Sequence, residues 1–298
     1  MQTKDFAKLL EPGLHAVWGL DYSQWPEEYS QVFTIETISN RNYIEDQSIT
    51  GFGLVPEKGE GNPINYDTAY QGFVKKYTFT VYGLGFKVTR EMWEDALYRQ
   101  IKSLPKALSR SVKHTVEQLS ANVLNNAFDS NYTGADGKEL CSTAHPLVAG
   151  GTFSNKLNPS ADLDITSFEN ALLGIQSFVD DRGLKLAAKP VRLIVHPNDA
   201  WMAEKILKSA QTPGTADNDY NPAKGILPKG YVVMHWLTDG DAWFVQTDVM
   251  NGLNFFWRRK PEFGKDNDFD SEIAKFKTTF RMDVGWTDPR AVYGSPGA

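Results

Sequence analysis

Apolar residues recur at steps of three and four from Trp93 through Leu97, Ile101, Leu104, Leu108, Val112, Val116, Leu119 and Val123 to Ala127. That spacing lays one stripe along one face of a helix. Thr89 supplies an N-cap. Glu91, Glu94 and Asp95 fall in the first turns, where carboxylates favour the positive helix end. A continuous helix over 89–128 would span ~60 Å at ~1.5 Å per residue. Pro105 cannot donate to the ladder, so the pattern predicts a kink or a fresh N-terminus near Ser103.

Elsewhere the period is two. Phe276, Thr278, Phe280, Met282, Val284 and Trp286 alternate with Lys275, Lys277, Thr279, Arg281 and Asp283, which predicts a strand over 273–286. Residues 253–260 are its hairpin partner, and the acidic stretch 261–272 is the tip between them. Residues 31–54 and 72–88 also read as extended, joined by a charged Gly/Pro-rich tip at 55–64. Phe79 and Val81 share one phase, whereas Tyr82, Leu84, Phe86 and Val88 share the other, so a bulge is expected near Gly83. The two runs together predict a long two-stranded arm, marginal by itself. At the start, a short helix over 3–10 precedes an extended arm broken by Pro12, Gly13 and Pro26 and carrying Trp18, Tyr22 and Trp25. Such an arm buries little against itself and needs another surface.

Between these lies an alternation of helix and strand. Thr166-Ser-Phe-Glu169 has the form of a capping box and opens a helix that Gly183 ends. A buried strand follows at 190–196, a helix from Pro197 to about Ser209, a polar loop at 210–230, and strands at 231–237 and 242–247. Residues 165–250 are therefore an α/β-type unit inside a chain that is α+β as a whole.

Composition narrows the function more than it names it. The chain has 298 residues, a formal net charge of −6 and 12% aromatic residues. That balance argues against a protein that grips nucleic acid strongly, and the aromatics call for large buried or interface surfaces. The start of the chain is charged and is not a secretory signal; no run reaches the ~18 apolar residues of a membrane span. Synthesis and folding in a cytoplasm are expected.

Chemistry is scarce. Cys141 and His145 sit four apart in a Ser/Thr/Gly loop, without a sequence signature of a cysteine hydrolase. Gly150-Gly151 is not followed by the Lys-Ser/Thr of a phosphate loop. The acidic run 264–272 lacks the glycine and terminal glutamate of a calcium loop. Arg258, Arg259 and Lys260 form a small basic cluster, most simply paired with the acidic tip 266–272. No catalytic residue, cofactor or metal is implied. What remains is a shape: two arms, a long spine and an α/β unit. Arms that cannot satisfy themselves imply neighbours that can.

Three stretches carry a resemblance: EGNPINYDTAYQGFVKKYTFTVYGLGFKVTREMWEDALY (60–98), LCSTAHPLVAGGTFSNKLN (140–158) and RMDVGWTDPRAVYGSPG (281–297). In this order, over nearly the whole chain, the sequence resembles the phage major capsid proteins of the HK97-type fold, and among them the Mu-like major head subunits. The resemblance implies an N-arm (1–44), an E-loop (45–88), a peripheral domain (89–159 and 251–298) with the spine helix, and an axial domain (160–250). It implies hexamers and pentamers of the chain enclosing double-stranded DNA, weakly and non-specifically contacted. It further implies portal and scaffolding partners, no membrane, and a virion assembled in the host bacterial cytoplasm. Trp18, Trp25, Glu57, Lys58, Glu60, Lys75, Arg258, Arg259, Lys265, Asp266 and Asp268 are then the candidate inter-subunit contacts. Two other readings compete: a cellular nanocompartment shell of the same fold, and a Cys141-dependent hydrolase.

Overall fold

The computed structural model describes residues 14–20, 22, 26–95, 98–211, 220–268 and 273–298. The expected helix at 3–10 lies outside these residues. The elements in chain order begin with α1 (14–20). Then come α2 (Tyr29–Val32), β1 (Thr34–Thr37), β2 (Tyr43–Ile49), β3 (Gln71–Thr78), β4 (Thr80–Val88), α3 (Arg90–Glu94) and α4 (Tyr98–Asn125). They continue with β5 (His145–Pro146), β6 (Thr152–Phe153), α5 (Ile165–Gln176), β7 (Pro190–Val195), α6 (Ala200–Lys208) and β8 (Tyr231–Val233). The last are β9 (Trp243–Thr247), β10 (Leu253–Asp268), β11 (Ile273–Trp286) and β12 (Val292–Ser295).

The first sheet has the order β1–β10–β11–β4. The period-two pattern of β11 is realised: Phe276, Thr278, Phe280 and Met282 are buried, while Lys275, Lys277, Thr279 and Arg281 are not. The spine helix α4 lies across this sheet, with Val112, Val116 and Leu124 in one core with Phe255, Trp257, Phe280 and Met282. The helix runs through Pro105 without a break, so the fresh N-terminus offered near Ser103 as one of two outcomes is not formed. The proline ring belongs to the buried side, where burial offsets the lost bond.

The second sheet has the order β12–β9–β7–β8. Leu193 and Val195 face α5 and α6, with Phe168, Ile175, Ala203 and Ile206. Ile194 between them faces the spine's core. A strand covered on both faces has to be apolar at consecutive positions, which explains the run Leu193-Ile194-Val195. β12 was not foreseen. It closes an edge of this sheet against β9, and Gly294 there allows close approach: an added Cβ would lie 2.8 Å from Phe244 and 2.9 Å from the Cys141 sulfur.

Four further differences have local causes. The runs 31–54 and 72–88 do not form one ribbon. β2 pairs with β3, whereas β4 pairs with β11, so the phase change belongs to Phe79, where the chain passes from one sheet to the other. β4 and β11 stay in register past Gly83; the irregularities lie in β10, between Trp257 and Glu262. Residues 261–268, expected as part of a tip, continue β10. Finally, α5 is capped by Asp164 in a reciprocal box with Ser167, two residues before the expected cap, and ends at Gln176. Gly183, at φ +81°, instead makes the tight turn that follows.

Candidate assembly surfaces

The ribbon β2–β3 carries an arm whose end is unburied. Phe52, Leu54, Val55, Ile64, Tyr66 and Tyr70 are all exposed, Val55 and Tyr66 to 94% each. Apolar side chains gathered this way on one segment mark a surface awaiting a partner. The root of the arm is fixed. The Thr50 N–H donates to the Tyr70 carbonyl at 3.0 Å and the Tyr70 N–H to the Thr50 hydroxyl at 2.9 Å, and Asp67 accepts the Gly53 N–H at 2.8 Å and an Arg182 N–H at 2.5 Å. Arg182 also lies over the Tyr70 ring at 5.3 Å. The Gly53 hydrogen bond and the Arg182 guanidinium hold the Asp67 carboxyl below the usual carboxylate range. Glu57, Lys58 and Glu60 sit exposed at the tip.

The N-terminal segment behaves differently. Residues 14–20 are helical rather than extended, because Leu14 and Trp18, four apart, share one buried face. Trp18 is only 8% exposed; its ring stacks on Tyr22 at 5.2 Å and meets Phe263 at 5.9 Å. It is covered largely by its own chain. Trp25 lies outside the described residues. Farther on, Tyr29 packs on Phe255 with ring centres 4.7 Å apart. Glu117 of the spine, 4% exposed, accepts the N–H groups of Glu28 at 2.8 Å and Tyr29 at 3.0 Å. Burial pushes its carboxyl up to about 7, with Glu28 and Glu27 adding to the rise against those two hydrogen bonds. Lys113 pairs with Glu27, and His235 with Glu28 at 2.6 Å. None of Glu117, Lys113 or Glu28 was singled out from sequence; a glutamate on the apolar face of the spine stripe was the available signal.

Residues 129–164 join spine to second sheet, and Asn155 organises them. Its amide nitrogen reaches the carbonyls of Leu140 (2.7 Å), Pro289 (2.8 Å) and Val292 (3.0 Å), and its oxygen accepts the Ser142 N–H at 2.8 Å. His145 spends both ring nitrogens here, on Asp136 at 2.5 Å and on Asn155 at 3.0 Å. Cys141 is fully buried, and burial pushes its thiol well above the ordinary range. A thiol held protonated, beside a histidine with no free nitrogen, lacks what an activated nucleophile needs. The loop is a staple between spine and C-terminal strand.

The remaining candidates divide. Lys75 is half-buried over the Trp286 ring at 5.0 Å, and desolvation lowers its ammonium. Arg258 donates to the Ile38 carbonyl at 3.3 Å, and Arg259 to Thr279 at 3.0 Å, with Glu262 4.0 Å away. Lys265 and Asp266 lie in β10 opposite Phe276 and Lys275, and the backbone of Asp268 pairs with Ile273.

Solved structures define the class. The chain superimposes on a virus-like particle protein from Pyrococcus furiosus with a TM-score of 0.55 at 11% identity, covering 96% of this chain and 98% of that one. The procapsid of bacteriophage JBD30 gives 0.55 at 14% identity, over 98% and 75%. The capsid of the myovirus XM1 gives 0.55 at 10% identity, over 92% of each. At such identities the likeness is one of fold, the HK97-type capsid fold. No curated protein matches the sequence. The model of the phage capsid protein family matches residues 73–295, and the chain belongs to that family.

Proposed function

We propose that the chain is the major capsid protein of a phage head, a structural and non-enzymatic subunit that assembles into hexamers and pentamers around double-stranded DNA. The single observation that carries this reading is the exposed apolar arm at 52–70 on a member of the phage capsid family. Its side chains find burial on a neighbouring copy, each full burial contributing ~1.5–3 kcal/mol before the costs of association. The named regions follow: N-arm 1–44, E-loop 45–88, peripheral domain 89–159 and 251–298, axial domain 160–250. Glu57, Lys58 and Glu60 at the arm tip are the polar contacts placed to reach a neighbour. Portal and scaffolding proteins are the other partners, and the virion, assembled in the host bacterial cytoplasm, is the location. The family match weighs for this reading over a cellular compartment shell.

Electron microscopy of the expressed chain tests it. Rings and closed shells are expected. A monodisperse monomer at every concentration and solvent condition overturns it. Mass analysis of the particles separates a head that holds nucleic acid from a compartment that holds protein.

A further inference from the structure

The spine helix carries a second pattern, opposite to its apolar stripe. From Tyr98 to Val116 every charged residue is basic: Arg99, Lys102, Lys106, Arg110 and Lys113, the first acid being Glu117. Lys113 is buried and paired with Glu27. Arg99, Lys102, Lys106 and Arg110 are all exposed. At ~100° per residue they fall within an arc of about 80°, facing away from Ile101, Leu108 and Val112, and extend over ~16 Å at steps of ~4.5–6 Å. This happens in a chain whose formal net charge is −6. The other basic region, on β10 and β11, is mixed: Arg259, Lys260 and Lys265 alternate with Glu262 and Asp266. The stripe's acidic neighbours, Glu91, Glu94 and Asp95, lie beyond its N-terminal end, where Glu94 pairs with Arg90.

We propose that this exposed face of α4 is a phosphate-binding stripe for duplex DNA and therefore faces the interior of the shell. The inference rests on the head-protein reading and adds the site and the orientation. A rigid row of cations at near-regular spacing matches a polyanion of fixed geometry; a duplex presents one charge per ~1.7 Å of its axis. The exposed residues between the cations are Gln100, Ser103 and Ala107. With no aromatic among these three residues, they offer nothing on which single-stranded bases stack. With no apolar anchor, it offers no groove for a peptide helix. Four cations make a weak, sequence-independent contact, suited to a genome that has to leave again.

The test uses the full chain and a random-sequence 30-base-pair duplex, with binding followed by fluorescence anisotropy across salt. Four phosphate contacts predict a slope of log K on log salt of about −3.6, a fall of ~150-fold between 50 and 200 mM. Substituting Arg99→Gln, Lys102→Gln and Lys106→Gln together should reduce the slope to about −0.9. Arg110 stays in place because it also has a partner within the chain. A matched triple on the hairpin, at Arg258, Arg259 and Lys260, should leave the slope where it was. An undiminished slope in the spine variant overturns the proposal. So does poly-glutamate that displaces the duplex as well as free duplex does, which would point to an acidic protein partner. Shells counted by microscopy in the same preparations keep the two ideas apart. Shells that form while the spine variant keeps its slope sink this inference alone; a wild-type chain that never forms shells sinks the parent reading.

Discussion

The two arms look alike as sequence and differ as structure. Both are aromatic, interrupted by Gly and Pro, and too open to bury themselves. Yet the N-terminal segment comes home: Tyr29 is 3% exposed and Glu117 reaches from the spine to cap its short helix. The 50–70 arm stays out, with Leu54 82% exposed. The difference lies in the receiving surface rather than in the arms. The spine and β10 offer the first arm an apolar seat with a matched acceptor, whereas the second is held only at its root, by Asp67 and Arg182. Composition reports that a segment needs burial; it does not report where the burial is.

The sharpest way to break this contrast is Tyr29→Ala. If the first arm is part of the subunit's own core, urea unfolding of the unassembled subunit should lose ~3–5 kcal/mol. A loss below ~1 kcal/mol would mean that the seat is marginal and the two arms are alike after all. Next in size is pH. The Glu117 carboxyl stands at about 7 in the folded chain against 4.5 as its ordinary value. A raised carboxyl favours the folded state while protonated. Its stabilisation is full below the unfolded value and is lost as pH rises through about 7, by at most ~3 kcal/mol. Glu117→Gln should flatten that part of the stability–pH curve, measured by denaturant titration between pH 4 and about 8.

The second arm predicts the opposite behaviour. Phe52→Ser, Leu54→Ser and Val55→Ser should each change subunit stability by less than ~0.5 kcal/mol, the range of exposed sites. The same changes should raise the concentration at which particles appear in light scattering. Most local is Arg182→Ala. It removes an ion pair that is exposed on the Asp67 side and mostly covered on the Arg182 side, worth ~1 kcal/mol. It should loosen only the root, seen as faster amide exchange at Gly53 and Thr68. Because Asp67 is held below its ordinary value, acidification through that range should mimic the substitution.

How much could be read in advance follows from range. The spine stripe and the alternation of β11 were legible because the face that Val112 or Phe280 occupies is set by period alone. The pairing of β4 was not, since its partner lies almost 200 residues on and the phase break at Phe79 looks like a bulge from sequence. β12 was missed because Val292-Tyr293-Gly294-Ser295 is short, and only Phe244, Cys141 and Phe128 around Gly294 explain it. The exposure of Glu57, Lys58 and Glu60 at the tip could be read because charge at a Gly/Pro turn is a local feature. The fate of Trp18 could not, as it depends on where Phe263 happens to be.

The late strand sets a clock. Val292–Ser295 supplies the outer rung of the second sheet, and Asn155 waits on the carbonyls of Pro289 and Val292. Until that rung docks, β9 has an open edge and Asn155 lacks two of its carbonyl partners. The second sheet is thus finished by a strand that lies past the whole of β10 and β11 in the chain.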